Sequence, residues 1–219
     1  MKRSLLIYVA YVLTIHVGCG GALADLPGDQ PEAKVVTIPL DQIWGYNMPG
    51  TRDVQKLEAD TRSLLFMQIR RSLWPFPSKD KDAEAGFAVL GTGLQALREV
   101  HGVLVEKKKP RETFPTGREI CVVFFSYQNT LYVHLRGVRR EGNTVEIRYV
   151  FVPHETEDTT EHFALIPLGT LPIGMYHVNI IQSPMDRKYV SSRFPPVSDE
   201  RAQRIVCRPF SFSVAAQGE

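Results

Sequence analysis

The chain has 219 residues, of which 43% are apolar, and it carries 26 Lys and Arg against 24 Asp and Glu. This apolar content excludes a disordered chain and is enough for one core, or for one core with a smaller appended unit. The balanced charge argues against nucleic acid as a partner, because phosphate binding needs a clustered basic surface. The basic run Lys107–Arg111 is short and has no interleaved aromatic residues, which is typical of a solvated loop.

Residues 1–24 have the pattern of a secretory signal peptide. Lys2 and Arg3 form its charged start, Leu5–Val17 is its apolar run, and Ala22-Leu-Ala24 is a small-x-small cleavage site before Asp25. The protein is therefore expected to be secreted or periplasmic. Removal of the peptide takes away two basic residues and no acidic one, so the formal charge falls from +2 to zero.

Cys19 offers an alternative, because a cysteine after Val17 and Gly18 resembles a bacterial lipoprotein attachment site. His16 stands where that motif prefers an aliphatic residue, so lipid anchoring is the less favoured interpretation. No later segment approaches the ~18 uninterrupted apolar residues of a membrane-spanning helix, so no transmembrane segment is expected in the mature chain.

The part from 25 to 110 is predicted to be a mixed α/β part. Its predicted elements, in chain order, are the strand Val35–Leu40, a helix from Asp60 or Thr61 to Trp74, the strand Phe87–Leu90 and a helix over Thr92–His101. Pro39 places the first strand at a sheet edge or at a strand end. Leu65, Ile69 and Leu73 lie on one stripe of the first helix, and Gly102 is predicted to close the second.

A glycine-rich turn lies between the second strand and the second helix. Gly91-Thr-Gly93-Leu-Gln-Ala96 matches the dinucleotide-binding fingerprint. The helix has room for about three turns only, and the next candidate strand, Val103–Val105, ends too early for the ribose-binding acid ~20 residues on. The pattern therefore predicts a tight strand-to-helix turn, and no cofactor is expected.

The segment from Ile43 to Val54 is the most distinctive in the chain. Ile43-Trp44, Asn47-Met-Pro-Gly-Thr-Arg-Asp-Val54 and Leu57-Glu58 resemble a signature of uncharacterised exported bacterial proteins, some of which also carry a stretch similar to Ala164–Leu171. This resemblance implies export and brings no activity with it. Trp44, Tyr46 and Trp74 form a candidate recognition surface for a protein or a glycan, with packing against the core as the alternative.

The part from 111 to 219 is predicted to be an antiparallel β-sandwich or partly open barrel. Cys121–Ser126 is an unbroken apolar run, which indicates a strand buried on both faces. Gly142-Asn143 predicts a tight hairpin between two strands, because a short connection needs positive φ. His162–Leu168 and Met175–Ile181 are predicted to form a second strand pair, and Arg204–Val214 a final strand. The overall class is α+β, with two or three short helices from the N-terminal half packed against the strands. Whether the two parts share one core is left open by the sequence.

Leu171-Pro-Ile-Gly-Met-Tyr-His-Val178 resembles the closing hairpin of bacterial immunoglobulin-like modules. In those modules a glycine begins the strand and a tyrosine packs at its corner, so the resemblance implies this role for Gly174 and Tyr176.

Local signatures of catalysis are missing from the sequence. Gly-x-Ser-x-Gly, His-Glu-x-x-His and Walker-type loops do not occur, and no catalytic residue is assigned. His154, Glu157 and His162 crowd one acidic connection and are weak candidates for metal ligands, although a solvated turn is the stronger interpretation.

Cys121 and Cys207 remain after signal cleavage and each lies near one end of a strand-like run. In an oxidising compartment they are a candidate disulfide, and two separate buried thiols are the alternative.

These patterns favour a non-catalytic binding or structural protein of the periplasm or cell envelope, with another envelope protein or a glycan as partner. The competing hypothesis is an exported metal-dependent hydrolase that uses histidines of the β-rich half, drawn from His134, His154, His162 and His177.

Overall fold

The structure is a computed structural model that describes residues 34–58, 65–73, 86–129, 131–153, 159–184 and 209–216. The described residues belong to one compact unit. Several predicted features lie outside them, namely the signal peptide with Cys19, the indole of Trp74, the candidate ligands His154 and Glu157, and Cys207.

Within the described residues the fold is α+β and mostly β. Its strands are β1 Val35–Ile38, β2 Trp44–Tyr46, β3 Arg52–Asp53, β4 Gly86–Leu90, β5 Thr113–Pro115, β6 Glu119–Asn129, β7 Leu131–Glu141, β8 Thr144–Pro153, β9 Thr159–Thr170, β10 Gly174–Gln182 and β11 Phe210–Ala215. Its α-helices are α1 Leu65–Ser72 and α2 Gly93–Leu104, and short 3₁₀ helices cover Leu40–Gln42 and Val54–Glu58.

The strands form two open sheets. The six-stranded sheet has the order β1-β7-β8-β10-β11-β5, and the five-stranded sheet has the order β3-β2-β9-β6-β4. The predicted purely antiparallel arrangement is wrong, because β10 runs parallel to β8, β5 parallel to β11, and β3 parallel to β2. The reason is that β9 carries the chain into the five-stranded sheet, so β10 returns beside β8 in the same direction.

One long hairpin, folded over at its middle, links the two sheets. β6 pairs with β9 from Glu119 and Thr170 to Asn129 and Thr159 in the five-stranded sheet. β7 pairs with β8 from Leu131 and Pro153 to Glu141 and Thr144 in the six-stranded sheet. We call this pair of arms, residues 119–170, the folded hairpin. The predicted tight turn at Gly142-Asn143 is confirmed, and Gly142 adopts a φ of 55°.

The five-stranded sheet is buried on both sides, as β6 shows. Ile120, Val122 and Phe124 belong to a cluster that also takes side chains from the six-stranded sheet, such as Ile147 and Tyr176. Cys121, Val123 and Phe125 belong to a second cluster with α1 and α2. The prediction that Cys121–Ser126 is buried on both faces is therefore confirmed.

The two helices pack on the second cluster through Phe66, Ile69, Leu97 and Val100. Gly102 does not close α2 as predicted, and Val103–Val105 is not a strand. The helix continues to Leu104, and the chain turns where Lys107 adopts a φ of 61° and the Lys108 amide donates to the Gly102 carbonyl at 3.0 Å.

The Gly91–Ala96 stretch is a strand-to-helix turn in an antiparallel setting. β4, which precedes it, pairs antiparallel with β6, so this unit is not the parallel βαβ unit that a dinucleotide site requires. Gly91 and Gly93 have φ values of 87° and 54°, which explains why glycines occupy the turn.

The predicted second strand pair is also wrong, because β9 and β10 lie in different sheets. The connection from Gly169 to Gly174 crosses from one sheet to the other. Tyr176, which follows it, is fully buried and donates its hydroxyl to the Pro172 carbonyl at 3.0 Å. The tyrosine thus packs at this corner, as the sequence predicted, and burial raises the pKa of its phenol.

Candidate functional site

The strongest candidate ligand in the described residues, His162, has a structural role. It is fully buried on β9 beside the middle of the folded hairpin, and its Nε2 accepts the Val133 amide proton of β7 at 3.0 Å. In a neutral ring this places the proton on Nδ1. The Tyr132 ring packs edge-on against the imidazole, with 6.0 Å between centroids. His162 therefore joins the two sheets where the hairpin folds over.

His134 and His177, the other described candidate ligands, do not lie close to each other. His134 pairs with Val150 on β8, whereas His177 pairs with Thr144, six positions away along the same strand. At ~3.3 Å per residue, these histidines lie roughly 20 Å apart along the sheet. Among the described residues no group of three His, Cys, Asp or Glu side chains is placed to hold a metal ion. His154 and Glu157 are not among these residues.

The aromatic residues of the distinctive segment are half-buried on the helix side of the five-stranded sheet. β2 pairs with β9, so Trp44 stands beside Leu165 and Tyr46 beside Phe163. The Arg52 guanidinium lies 5.6 Å from the centre of the Trp44 ring. The Arg70 guanidinium lies 5.1 Å from the centre of the Tyr46 ring. Each ring therefore packs against the core and carries a cation on its other side.

Polar contacts fix this segment further. Arg70 of α1 forms an ion pair with the carboxylate of Glu161, a residue that is only 8% exposed. The Asn47 side chain donates to the backbone carbonyl of Glu161 at 2.9 Å. Glu161 thus holds both α1 and the distinctive segment on β9.

Cys121 is a free, buried thiol in the structure, and the disulfide with Cys207 stays a prediction because Cys207 lies outside the described residues. Burial, with a smaller contribution from the Glu119 carboxylate, raises the pKa of Cys121 to about 12.

The six-stranded sheet has one side that is not packed into either cluster. Side chains that alternate with the buried ones on β1, β7, β8, β10 and β11 face solvent here. We call this surface the open face, and its members are Val35, Thr37, Arg139, Glu141, Thr144, Glu146, Arg148, Met175, His177, Asn179, Ile181, Ser211 and Ser213. It ends beyond Arg148, because Val150 and Val152 on the same side of β8 are buried.

Strand register arranges the open face in rows that cross the strands. One row runs Val35, Glu141, Thr144, His177, Ser211. The next runs Thr37, Arg139, Glu146, Asn179. In the first row the exposed His177 holds the Ser211 hydroxyl at 2.9 Å from its Nδ1.

Four charged residues form a network at the centre of the open face. Arg139 lies 3.2 Å from Glu141 and 3.6 Å from Glu146, and Arg148 lies 3.0 Å from Glu146. Arg139, Glu141, Thr144 and Glu146 line a shallow cleft of about 300 Å³. The charges alternate across β7 and β8, so the network carries no net charge.

Sequence reasoning missed the open face, although one signal was available. Glu146 and Arg148 alternate with apolar residues, which is the pattern of the polar side of a strand, yet their partners on β7 depend on the hairpin register. Counting outward from Gly142-Asn143 would have placed Arg139 opposite Glu146.

In the described part of the chain no helix is long and apolar enough to cross a membrane. Comparison of the chain with known protein families, with curated proteins and with solved structures found no match.

Proposed function

We propose that this chain is an exported, non-catalytic binding or structural protein of the periplasm or cell envelope, which makes its contacts through the open face. The observation that carries this proposal is the difference between the two sheets. The outer side of the five-stranded sheet is covered by α1 and α2, whereas the open face presents charged and hydrogen-bonding side chains to solvent.

We also infer that the two sheets pack face to face as a β-sandwich. The support is the cluster to which both sheets contribute, for example Phe124 and Ile166 from one and Ile147 and Phe212 from the other. Such packing keeps the open face rigid, and a rigid surface loses little conformational entropy when it binds.

A protein surface fits the open face better than a glycan does. Sugar rings stack on exposed aromatic side chains, and the open face, as far as the structure describes it, consists of charged, hydroxyl, amide, imidazole and aliphatic groups. The two aromatic residues of the distinctive segment, Trp44 and Tyr46, instead lie under guanidinium groups.

Export is tested by producing the full-length chain in bacterial cells and determining its N-terminus by mass spectrometry. Cleavage after Ala24 gives a periplasmic protein that begins at Asp25. A cytoplasmic protein that keeps residues 1–24 would contradict the proposal.

The contact surface is tested in the same cells with a photo-crosslinking side chain. Placed at Thr37 on the open face, it is expected to give a crosslinked protein product that disappears with Arg139→Glu. The matched control is Arg98, which is exposed on α2. Crosslinking from position 98 and none from position 37 would move the contact to the helix side.

Metal analysis of the purified mature protein tests the competing hydrolase. Stoichiometric zinc that is lost when His154 and His162 are replaced would overturn the binding proposal. We expect no such zinc, because His162 already uses Nε2 to accept the Val133 amide proton.

A further inference from the structure

The charge pattern of the open face is complementary to that of a second copy of the same face. Arg139 on β7 stands directly opposite Glu146 on β8, and these two residues form the centre of the charged network. Their side chains are 46% and 21% exposed, so both can reach a second surface. A pair of opposite charges side by side is the simplest pattern that is complementary to a copy of itself.

A two-fold axis that runs parallel to the strands, between β7 and β8, makes this complementarity explicit. When two open faces meet across that axis, each β7 lies over the β8 of the other copy. Arg139 of each copy then faces Glu146 of the other, twice in one contact. Interfaces of this isologous kind are the commonest way in which homo-oligomers close.

The surroundings of the pair favour the same partner. Arg148 and Glu141 flank it and keep the local charge at zero, so two open faces do not repel each other as two faces of one charge would. Val35 and Met175, which are 49% and 53% exposed, add apolar surface to either side of the charged network. A strongly acidic or basic partner would meet like charges at two of these four residues.

We propose that the protein on the open face is a second copy of this chain, in a two-fold dimer centred on Arg139 and Glu146. Such a dimer rests on the proposed function, because it uses the same open face. The exchanged pairs hold the two copies in register, and the apolar flanks contribute buried area.

Charge reversal and mixing test the dimer. Arg139→Glu makes the centre acidic and Glu146→Arg makes it basic, so each variant alone should be a monomer in sedimentation experiments. Each variant should raise the dimer dissociation constant about tenfold or more, which corresponds to about 1.4 kcal/mol. An equimolar mixture should form a heterodimer, because residues 139 and 146 of one variant then meet their opposites on the other.

The mixture separates an intermolecular role from an intramolecular one. Each variant also loses its own Arg139–Glu146 pair, and mixing cannot restore a pair within one chain. Arg98→Glu on α2 is the matched control and should leave the dimer unchanged. If a charge-reversal variant unfolds, the neutral variants Arg139→Gln and Glu146→Gln are tested in place of the two reversal variants. They should weaken the dimer without a change in the circular dichroism spectrum.

A wild-type chain that stays monomeric up to its solubility limit overturns the dimer, and so does a mixture in which both variants stay monomeric and folded. The identity of the crosslinked product then tests the proposed function independently of the dimer. A crosslinked product from Thr37 with the mass of two copies of this chain supports the dimer. A product that contains a different protein overturns the dimer and leaves the binding role of the open face intact.

Discussion

His162 is a candidate metal ligand in the sequence, but in the structure it has a structural role. Its imidazole is buried, and Nε2 accepts the Val133 amide proton where the folded hairpin passes between the sheets. His162→Phe keeps a ring but removes the acceptor, so the buried Val133 amide loses its partner. We expect the free energy of unfolding to fall by about 1–3 kcal/mol, measured by urea denaturation.

His162→Gln is the informative comparison, because the glutamine side chain offers an acceptor oxygen in place of Nε2. It should lose less stability than His162→Phe. His177→Gln, at an exposed position of the open face, should stay within about 0.5 kcal/mol of the wild type. Equal losses for Phe and Gln at position 162 would show that the Val133 hydrogen bond contributes little.

Cys121 gives a second prediction at the scale of one residue. Its pKa is raised to about 12 by burial, so the thiol stays protonated and shielded in the native protein. Iodoacetamide at mildly alkaline pH should leave Cys121 of the reduced protein unmodified until urea unfolds the chain, as peptide mass spectrometry would record. Two alkylated cysteines in the denatured, unreduced mature chain would show that Cys121 and Cys207 are not bonded.

Residue-scale roles were the hardest to predict from the sequence. His134, His162 and His177 all lie in strand-like runs, and this pattern does not separate their roles. His177 is exposed, and His134 is half-buried. For His162, flanking apolar residues could not reveal the acceptor role, because the Val133 amide belongs to another strand, 29 residues away.

At the scale of elements, α1 is fixed to β9 by the ion pair between Arg70 and Glu161. Arg70→Ala leaves the nearly buried Glu161 carboxylate without its cation and uncovers the Tyr46 ring. We expect a loss of about 1–3 kcal/mol in the free energy of unfolding, measured in urea.

Arg71→Ala is the natural control, since Arg71 is the next residue of α1 and is exposed. It should change stability by less than about 0.5 kcal/mol. Adding Glu161→Gln to Arg70→Ala should recover part of the loss, because the uncompensated charge disappears. A double variant as unstable as the sum of the two single ones would rule out direct coupling of the pair.

Elements with a local cause were predicted well. The turn at Gly142-Asn143, the doubly buried Cys121–Ser126 and the corner tyrosine each follow from residues within a few positions of one another. The predicted end of α2 was wrong because Gly102, a usual stop signal, is buried within the helix. Lys107 takes the left-handed conformation instead. The prediction that β9 pairs with β10 was wrong because a connection with a glycine at each end, here Gly169 and Gly174, can be a crossover between sheets as well as a hairpin.

The fall in the free energy of unfolding at acidic pH should depend in part on His134. Burial, with a smaller contribution from the Arg136 cation, lowers the pKa of His134 below its ordinary value of 6.5. The unfolded chain therefore binds this proton at a higher pH than the folded protein does. Stability is fully present above pH 6.5 and should fall as the pH drops from there towards the lowered pKa.

Urea midpoints measured at intervals through this acidic range check the prediction. His134→Gln cannot titrate, so its midpoint should fall less steeply than that of the wild type. Identical slopes for wild type and His134→Gln would contradict a lowered pKa at this position.

The arrangement of the whole molecule could be predicted only in part. The sequence indicated an α+β class and helices packed on strands, because these follow from periodicity and burial. It could not give the order of the sheets, in which β1, β2 and β4 of the N-terminal part pair with β7, β9 and β6. Those pairings join residues some 30 to 120 positions apart, and no local pattern encodes them. The open face is a product of this order.

The folded hairpin also has a consequence for the order in which the chain folds. Its arms can zip outward from Gly142-Asn143, so each new pair closes only a small additional loop, up to Glu119 with Thr170. The turn should thus be formed in the transition state, before β1, β2 and β4 add their more distant contacts. Gly142→Ala, at a φ of 55°, should slow refolding and leave the unfolding rate nearly unchanged in stopped-flow experiments. A variant that mainly unfolds faster would place the nucleus elsewhere.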